Sequence, residues 1–424
     1  MNLKMQSKKT CVVGLGYIGL PTAAIIASQG KLVVGLDINQ DIVNIVNQGK
    51  IHIIEPGLED AVNKAVQNGC LKATSSPEAA DVFIIAVPTP FKGEDHKPDT
   101  SFIEHAIDSI GPVLKKGDLI ILESTSPVGT TEMLQAQLAK NRSDLNFFSD
   151  KSNKADILIA YCPERVLPGN ILYELIENDR VIGGLCKHSS DLAASFYKEF
   201  VQGDCLITNA RTAEMAKLVE NSYRDVNIAF ANELALLSKD LKINVWELIS
   251  LANRHPRVNI LNPGAGVGGH CLAVDPWFII DKSPDLALLI KQARLVNDHT
   301  PINIAEDIGN HLLAMKNTTS VEHIHIGILG LTYKPDIDDL RESPAMIIAQ
   351  ILHKKFPNQV FVVEPNITSI DQSLYGDLSL INLSEAMNTC SLLAVLVPHS
   401  GFKNLPHLSE SNQQILDYCG LTNS

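Results

Sequence analysis

The 424-residue chain has no apolar run of membrane length, no basic stripe and no Cys-x-x-Cys pair, and each absence removes a class of function. A membrane-spanning helix needs about 20 consecutive apolar residues. The only stretch that resembles a secretory signal follows Lys8 and Lys9, and Gly14, Gly16, Gly19 and Pro21 interrupt it at spacings that suit a dinucleotide-binding turn. The expectation is a soluble, cytoplasmic protein with no membrane partner. Lys and Arg number 35 against 48 Asp and Glu, which argues against a nucleic-acid partner, because no cationic surface stands out to neutralise phosphates. An anionic ligand must then be held by local devices. The eight cysteines, at 11, 70, 162, 186, 205, 271, 390 and 419, are scattered, so neither a metal site nor a disulfide framework is expected.

What is present is an ordinary globular composition, 45% hydrophobic and 20% charged, on a chain long enough for two or three domains. Short β-branched runs at 10–15, 31–37, 81–87 and 119–124 alternate with amphipathic stretches, which predicts an α/β domain built on a parallel sheet. Runs at 155–161 and 180–184 extend it, after a polar loop at 141–154. The pattern turns helical from Thr208, with a long helix over 212–241, and a second α/β pattern has strands at 323–329, 359–364 and 391–397. The predicted architecture is an N-terminal Rossmann-like domain over 1–207, a central helical domain over 208–305 and a C-terminal Rossmann-like domain over 306–424.

The segment Gly14-Leu15-Gly16-Tyr17-Ile18-Gly19 joins the first strand to a helix, where glycines let backbone N–H groups approach a pyrophosphate. Asp37 closes the second strand, where a carboxylate accepts from ribose hydroxyls and repels a 2′-phosphate, so NAD is favoured over NADP. Thr89 and the loop from Ser124 through Thr125 to Thr130 follow strands at the end where such sheets bind ligands; ordinary turn chemistry would also place Ser, Thr and Pro there. Gly264-Ala265-Gly266-Val267-Gly268-Gly269-His270-Cys271 ends a glycine-rich loop on a thiol placed to attack a bound group, with Asp275 one helical turn on if a helix starts at the cysteine. Lys217, Asn221 and Arg224 share a helix face opposite an apolar set that includes Ala216, Leu218 and Val219. That face suits oxyanion donors or plain solvation.

Together with Pro163-Glu164-Arg165 and Lys334-Pro335-Asp336-Ile337-Asp338-Asp339-Leu340-Arg341-Glu342-Ser343-Pro344, these motifs resemble the UDP-glucose/UDP-N-acetylmannosamine dehydrogenases over nearly the whole chain. The resemblance implies a cofactor domain, a central dimerisation domain and a C-terminal domain that holds UDP, hence a homodimer acting on a UDP-sugar. It implies that the C6 alcohol is oxidised twice, with NAD as hydride acceptor, through a thiohemiacetal and a thioester on Cys271. Lys217 and Asn221 are then the oxyanion pair, Asp275 the acid that helps activate water, and Thr125 and Glu164 the residues that handle water. Tyr17, Ile18 and Arg341 join the glycines, Asp37, Thr89 and Thr125 as cofactor contacts. Arg165, Val166, Lys217, Asn221, Arg224, His255, Arg257, Gly268, Tyr333 and Lys334 become substrate contacts.

His270 before the cysteine, Asp275-Pro276-Trp277-Phe278 after it and Arg254-His255-Pro256-Arg257 resemble the branch acting on UDP-N-acetylmannosamine. Enzymes of UDP-N-acetylglucosamine, UDP-N-acetylgalactosamine or UDP-glucose remain alternatives. Two-domain β-hydroxyacid dehydrogenases also pair a dinucleotide fold with a helix bearing Lys and Asn one turn apart, but they oxidise once without a cysteine. A non-enzymatic NAD-sensing scaffold would not need Cys271, Lys217, Asn221, Asp275 and Glu164 together.

Overall fold

Short runs of Val, Ile and Leu, buried on both faces, build the strands, as expected where helices cover both sides of a parallel sheet. The computed structural model describes residues 9–93, 95–149, 155–167, 169–269, 271–318, 324–405 and 413–421. The chain divides into two compact units, residues 1–219 and 220–424.

In the first unit the strands are β1 (Thr10–Val13), β2 (Val33–Leu36), β3 (Leu71–Thr74), β4 (Val82–Ile85), the small pair β5 (Phe91–Lys92) and β6 (Lys97–Pro98), then β7 (Leu119–Leu122), β8 (Leu158–Tyr161), β9 (Arg180–Gly184) and β10 (Cys205–Asn209). The main sheet has the order β10-β9-β8-β7-β4-β1-β2-β3. The expectation of a parallel sheet holds except between β8 and β9, which pair antiparallel through Ala160 with Gly184 and Tyr161 with Gly183. Residues 162–179, which include the helix Ile171–Glu177, join the two strands, and the register sets the end of β9 beside the end of β8. The helix Lys187–Tyr197 then restores the parallel sense for β10. β3, β5, β6 and β10 are strands that hydropathy did not mark; Leu206 and Ile207 of β10 are half exposed.

The helix Ala210–Asp240 runs through the division between the units. It confirms the long predicted helix and corrects its facing. Val219, placed on the buried side by the pattern, is 44% exposed, whereas Ala213, Leu218, Ser222, Asp225, Ala229 and Asn232 are buried. Hydropathy misassigns this face because Asp225 and Asn232 are buried with polar partners from the helix Leu288–Thr318. Within the second unit β11 (Ile326–Leu329), β12 (Val360–Val363), β13 (Ser379–Leu380), β14 (Leu392–Val395) and β15 (Gln414–Asp417) form a parallel sheet in the order β13-β12-β11-β14-β15. Its core includes Ile326, Ile328, Ile348, Leu352, Val362 and Leu392. Among the described residues no helix is long and apolar enough to cross a membrane.

Candidate active site

In the first unit the turn after β1 is shaped by what its glycines exclude. Gly14 has φ +89°, and a Cβ there would lie 2.8 Å from the Ala86 carbonyl oxygen; a Cβ on Gly19 would lie 1.8 Å from the Gly14 carbonyl oxygen. Gly16, between them, has nothing within 4 Å of its Cβ position. The turn is thus tight at both ends and open in the middle, beside Tyr17, Ile18 and the start of the helix Gly19–Ser28, the arrangement a pyrophosphate requires. Asp37, just past β2, accepts from the Leu15 N–H at 2.8 Å and the Asn39 N–H at 2.9 Å. A carboxylate has about four lone-pair positions, so it retains capacity for ribose hydroxyls, and the residues present fit a dinucleotide.

The loops after β4 and β7 are tied together, since the Ser124 hydroxyl donates to the Val87 carbonyl at 2.7 Å. Thr89 and Thr125 are half-buried beside this tie. Buried Glu214, near the start of the long helix, accepts from the Gly129 N–H at 2.6 Å and the Thr131 N–H at 2.8 Å, capping the helix Thr130–Asn141. Burial raises its pKa against those donors. After β8, Glu164 is 7% exposed and accepts from the Arg165 N–H at 2.7 Å and from Arg180 Nη1 at 2.5 Å. Arg165 and Val166 follow, half-buried, and the Arg165 carbonyl accepts from Asn178 at 2.9 Å. Neither Glu214 nor Arg180 carried a sequence signal of its own.

The second unit assembles the thiol site. Asn221 donates from Nδ2 to Asp275 Oδ2 at 2.5 Å, and the Asp275 N–H donates to the Cys271 carbonyl at 2.8 Å. Asp275 is 2% exposed and starts the helix Asp275–Lys282, so the expected helical turn separates it from the half-buried Cys271, with the helix itself beginning later than expected. One turn before Asn221, Lys217 is half-buried on the same helix. Arg224 is exposed.

A buried polar chain stands behind this site. Arg294 donates to Asp225 at 2.6 Å, Asn297 to Asp225 at 2.9 Å and Asn232 to Asn297 at 3.0 Å, while Asn232 Oδ1 accepts from the Gly264 N–H at 2.9 Å. The glycine loop is thereby anchored to two helices at its first residue. Burial raises the Asp225 pKa and the Arg294 guanidinium opposes it. Pro301 in the same helix has no N–H for the Asn297 carbonyl, and a Cβ on Gly266 would come within 3.2 Å of that oxygen.

The loop's far end is held by the segment after β11. A Cβ on Gly268 would lie 2.4 Å from the Glu342 carbonyl oxygen and 2.8 Å from Tyr333 Cβ, so Gly268 and Tyr333 are brought together. Lys334 is half-buried, and its carbonyl accepts from the Thr332 hydroxyl at 2.9 Å. Arg341 is half exposed and forks onto Asp339 at 2.6 Å. His255 and Arg257 are exposed, and no hydrogen bond or ion pair among the described residues ties them to Cys271. His270 lies outside the described residues.

One unforeseen cluster pins the Lys334 loop. Glu364, at the end of β12, accepts from the Leu331 N–H at 2.7 Å and from His399 Nε2 at 2.9 Å, while His399 Nδ1 accepts from the Asp336 N–H at 2.9 Å. Burial works to raise the Glu364 pKa, but the hydrogen bond from His399 and those from the backbone outweigh it and the net shift is downward.

Comparison with known proteins identifies the family. The UDP-glucose/GDP-mannose dehydrogenase family matches the chain in three parts: its NAD binding domain over residues 8–201, its central domain over 211–299 and its UDP binding domain over 327–423. The chain is 54% identical over 416 residues to a UDP-N-acetyl-D-mannosamine dehydrogenase of Campylobacter jejuni, covering 98% of this chain and 100% of the relative. It is 49% identical to an NDP-N-acetyl-D-galactosaminuronic acid dehydrogenase of Ralstonia solanacearum, covering 99% and 97% of the two chains. The solved structure of a UDP-D-ManNAc dehydrogenase from Pyrococcus horikoshii is similar, with a TM-score of 0.86, 37% identity and coverage of 97% and 96%.

Proposed function

On the premise that the chain belongs to the UDP-glucose/GDP-mannose dehydrogenase family, and is an NAD-dependent UDP-sugar dehydrogenase, we propose that its substrate is UDP-N-acetyl-D-mannosamine, oxidised twice at C6 to the uronic acid. The observation that carries the chemistry is the joining of Asn221, Asp275 and Cys271 at the end of an anchored glycine loop. NAD supplies the hydride acceptor for each oxidation. The chain's own residues do the rest. The Cys271 thiolate adds to the aldehyde carbon and holds it, so the half-oxidised sugar stays in place, and Lys217 and Asn221 donate to the developing oxyanion. Thr125 and Glu164 handle the water that cleaves the thioester, and Asp275 helps activate it.

The substrate choice is supported by the relatives, whose printed names include UDP-N-acetyl-D-mannosamine dehydrogenase at 53–54% identity. NADH yield with a panel of purified UDP-sugars tests it. Two NADH per UDP-N-acetyl-D-mannosamine are expected; faster turnover of the glucosamine, galactosamine or glucose derivative would transfer the assignment, and one NADH per substrate would remove the covalent route.

The enzyme acts as a homodimer in the cytoplasm. Val219, Tyr223, Phe230 and Leu237 on the long helix are 44%, 72%, 53% and 49% exposed, and their spacing of 4, 7 and 7 residues puts them on one stripe. A twofold axis buries such a stripe against its own copy. A monomer mass by light scattering at micromolar concentration would overturn this.

A further inference from the structure

Behind Glu164 the first unit buries a second carboxyl against the same cation. Glu123, just past β7, is 2% exposed, Arg180 at the start of β9 is 2% exposed, and Tyr197 at the end of its helix is fully buried. Tyr197 donates to Glu123 Oε1 at 2.6 Å, and the Arg180 guanidinium carbon lies 5.3 Å from the centre of the Tyr197 ring. Arg180 spends Nη1 on Glu164 at 2.5 Å and Nη2 on the Leu175 carbonyl at 2.9 Å. Among the described residues Arg180 Nε and Glu123 Oε2 make no hydrogen bond. Two carboxyls therefore feel one buried guanidinium, and only Glu164 is in direct ion-pair contact with it. Paired, buried polar groups are costly to leave half-satisfied, so a structural purpose alone gives no reason for the second carboxyl.

We propose that Arg180 is a positioning residue that fixes Glu164 from the buried side, and that Glu123, through the shared guanidinium, sets how much positive charge Glu164 receives. The inference rests on the reading of Glu164 as the residue that handles water. With Oε2 held by Arg180 and Oε1 held by the Arg165 N–H, the carboxylate cannot rotate. It meets the water from one direction. In the step it serves, the water oxygen bonds to the acyl carbon, a water proton passes to the carboxylate, and the carbon–sulfur bond breaks with the electron pair leaving on the Cys271 sulfur.

The groups that face Glu123 are Glu164 and Cys162 from the segment after β8, Arg180 from β9, Tyr197 from its helix and the Thr22 hydroxyl from the helix Gly19–Ser28. Burial and then the Glu164 charge push Glu123 up to about 7, against Arg180 and Tyr197. Below that pH Glu123 is neutral and Arg180 answers Glu164 alone. Above it the guanidinium is shared.

The test follows Arg180→Lys, Glu123→Gln and, as control, Glu164→Gln in the full-length enzyme with UDP-N-acetyl-D-mannosamine and NAD. The readouts are the first-turnover NADH burst, the acyl adduct on Cys271 by intact mass spectrometry, and the pH profile of turnover. Arg180→Lys is expected to slow thioester cleavage by about tenfold or more, far more than the burst, so the adduct accumulates. Glu123→Gln is expected to remove a limb of the profile near pH 7. If Arg180→Lys cleaves its thioester at the wild-type rate while Glu164→Gln does not, this inference falls and the reading of Glu164 stands. Wild-type cleavage in both removes that reading and this inference with it. Should Arg180→Lys fail to fold, Glu123→Gln decides alone, and an unchanged profile overturns the proposal.

Discussion

Replacing Gly268 by alanine adds one methyl group where the chain has no room for it. The new Cβ would lie 2.4 Å from the Glu342 carbonyl oxygen, 2.7 Å from Pro344 Cδ and 2.8 Å from Tyr333 Cβ, against ordinary contacts of about 3.5–4.0 Å. Backbone, a proline ring and a Cβ cannot rotate away, so the loop must retreat by about 1 Å. Overpacking of this kind costs about 1–3 kcal/mol, a fall of several degrees in the Tm of a unit this size, at about 2–4 °C per kcal/mol. The effect on catalysis is larger, because Cys271 is three residues away and a displacement of about 1 Å from the attack geometry costs on the order of a hundredfold. Gly264→Ala in the same loop is the matched control, with nothing within 4 Å of its Cβ position. Melting curves and steady-state NADH formation should separate the two variants. If Gly268→Ala matched Gly264→Ala in both Tm and kcat, the loop would not be held as described.

Gly16→Ala should fold normally, since its Cβ meets open space, yet weaken NAD binding at least about tenfold by occupying the pyrophosphate approach; an unchanged Kd by calorimetry would remove the turn from the cofactor site. Lys217→Ala should lower kcat about a hundredfold to a thousandfold, and combining it with Asn221→Ala should add little further loss because both serve one charge; a rate near wild type for the single variant would return this helix face to solvent. Glu123→Gln should also change stability with pH. With its folded pKa raised to about 7 from 4.5, wild type keeps a proton that the unfolded chain has lost between those values, so this stability is full below 4.5 and is lost as pH rises through 7, by at most about 1.4 kcal/mol per pH unit. The variant's Tm relative to wild type should therefore be higher at pH 8 than at pH 5, and an equal difference at both would refute the buried proton.

The glycine turn and Asp37 were legible because sterics and strand geometry tie them to fixed spacings, and the predicted strands stand within a few residues of those observed. Cys271, Asn221 and Asp275 could be named from the motifs, but their joining could not, since Asn221 and Asp275 are 54 residues apart and meet only through tertiary packing. Arg180, Glu123, Arg294 and His399 were missed for a common reason. Glu123 and Arg180 fall inside runs read as strands, 119–124 and 180–184, yet nothing marked them as a pair; each of the four is polar and is buried because its partner is buried beside it. Such pairs leave no periodicity, so only the fold discloses them.

The two sheets use one device, and the acids at its end differ in the hydrogen-bond capacity they have left. Gly14 after β1 has φ +89° and Gly330 after β11 has φ +90°, and the next residue, Leu15 or Leu331, donates its N–H to the acid that closes the neighbouring strand, Asp37 or Glu364. Asp37 accepts two bonds, from Leu15 and Asn39, and with about four lone-pair positions on a carboxylate it can still take ribose hydroxyls. Glu364 accepts from Leu331, Thr332 and His399 on Oε2 and from the Asn366 N–H and side chain on Oε1. Its capacity is spent. A ribose approaching the end of β12 would find no acceptor on that carboxylate, whereas the loop it organises, residues 331–336, presents Lys334. Of the two acids only Asp37 keeps lone pairs for a ribose, which supports its proposed cofactor contact, while Glu364 serves to hold the loop that carries Lys334, the proposed substrate contact.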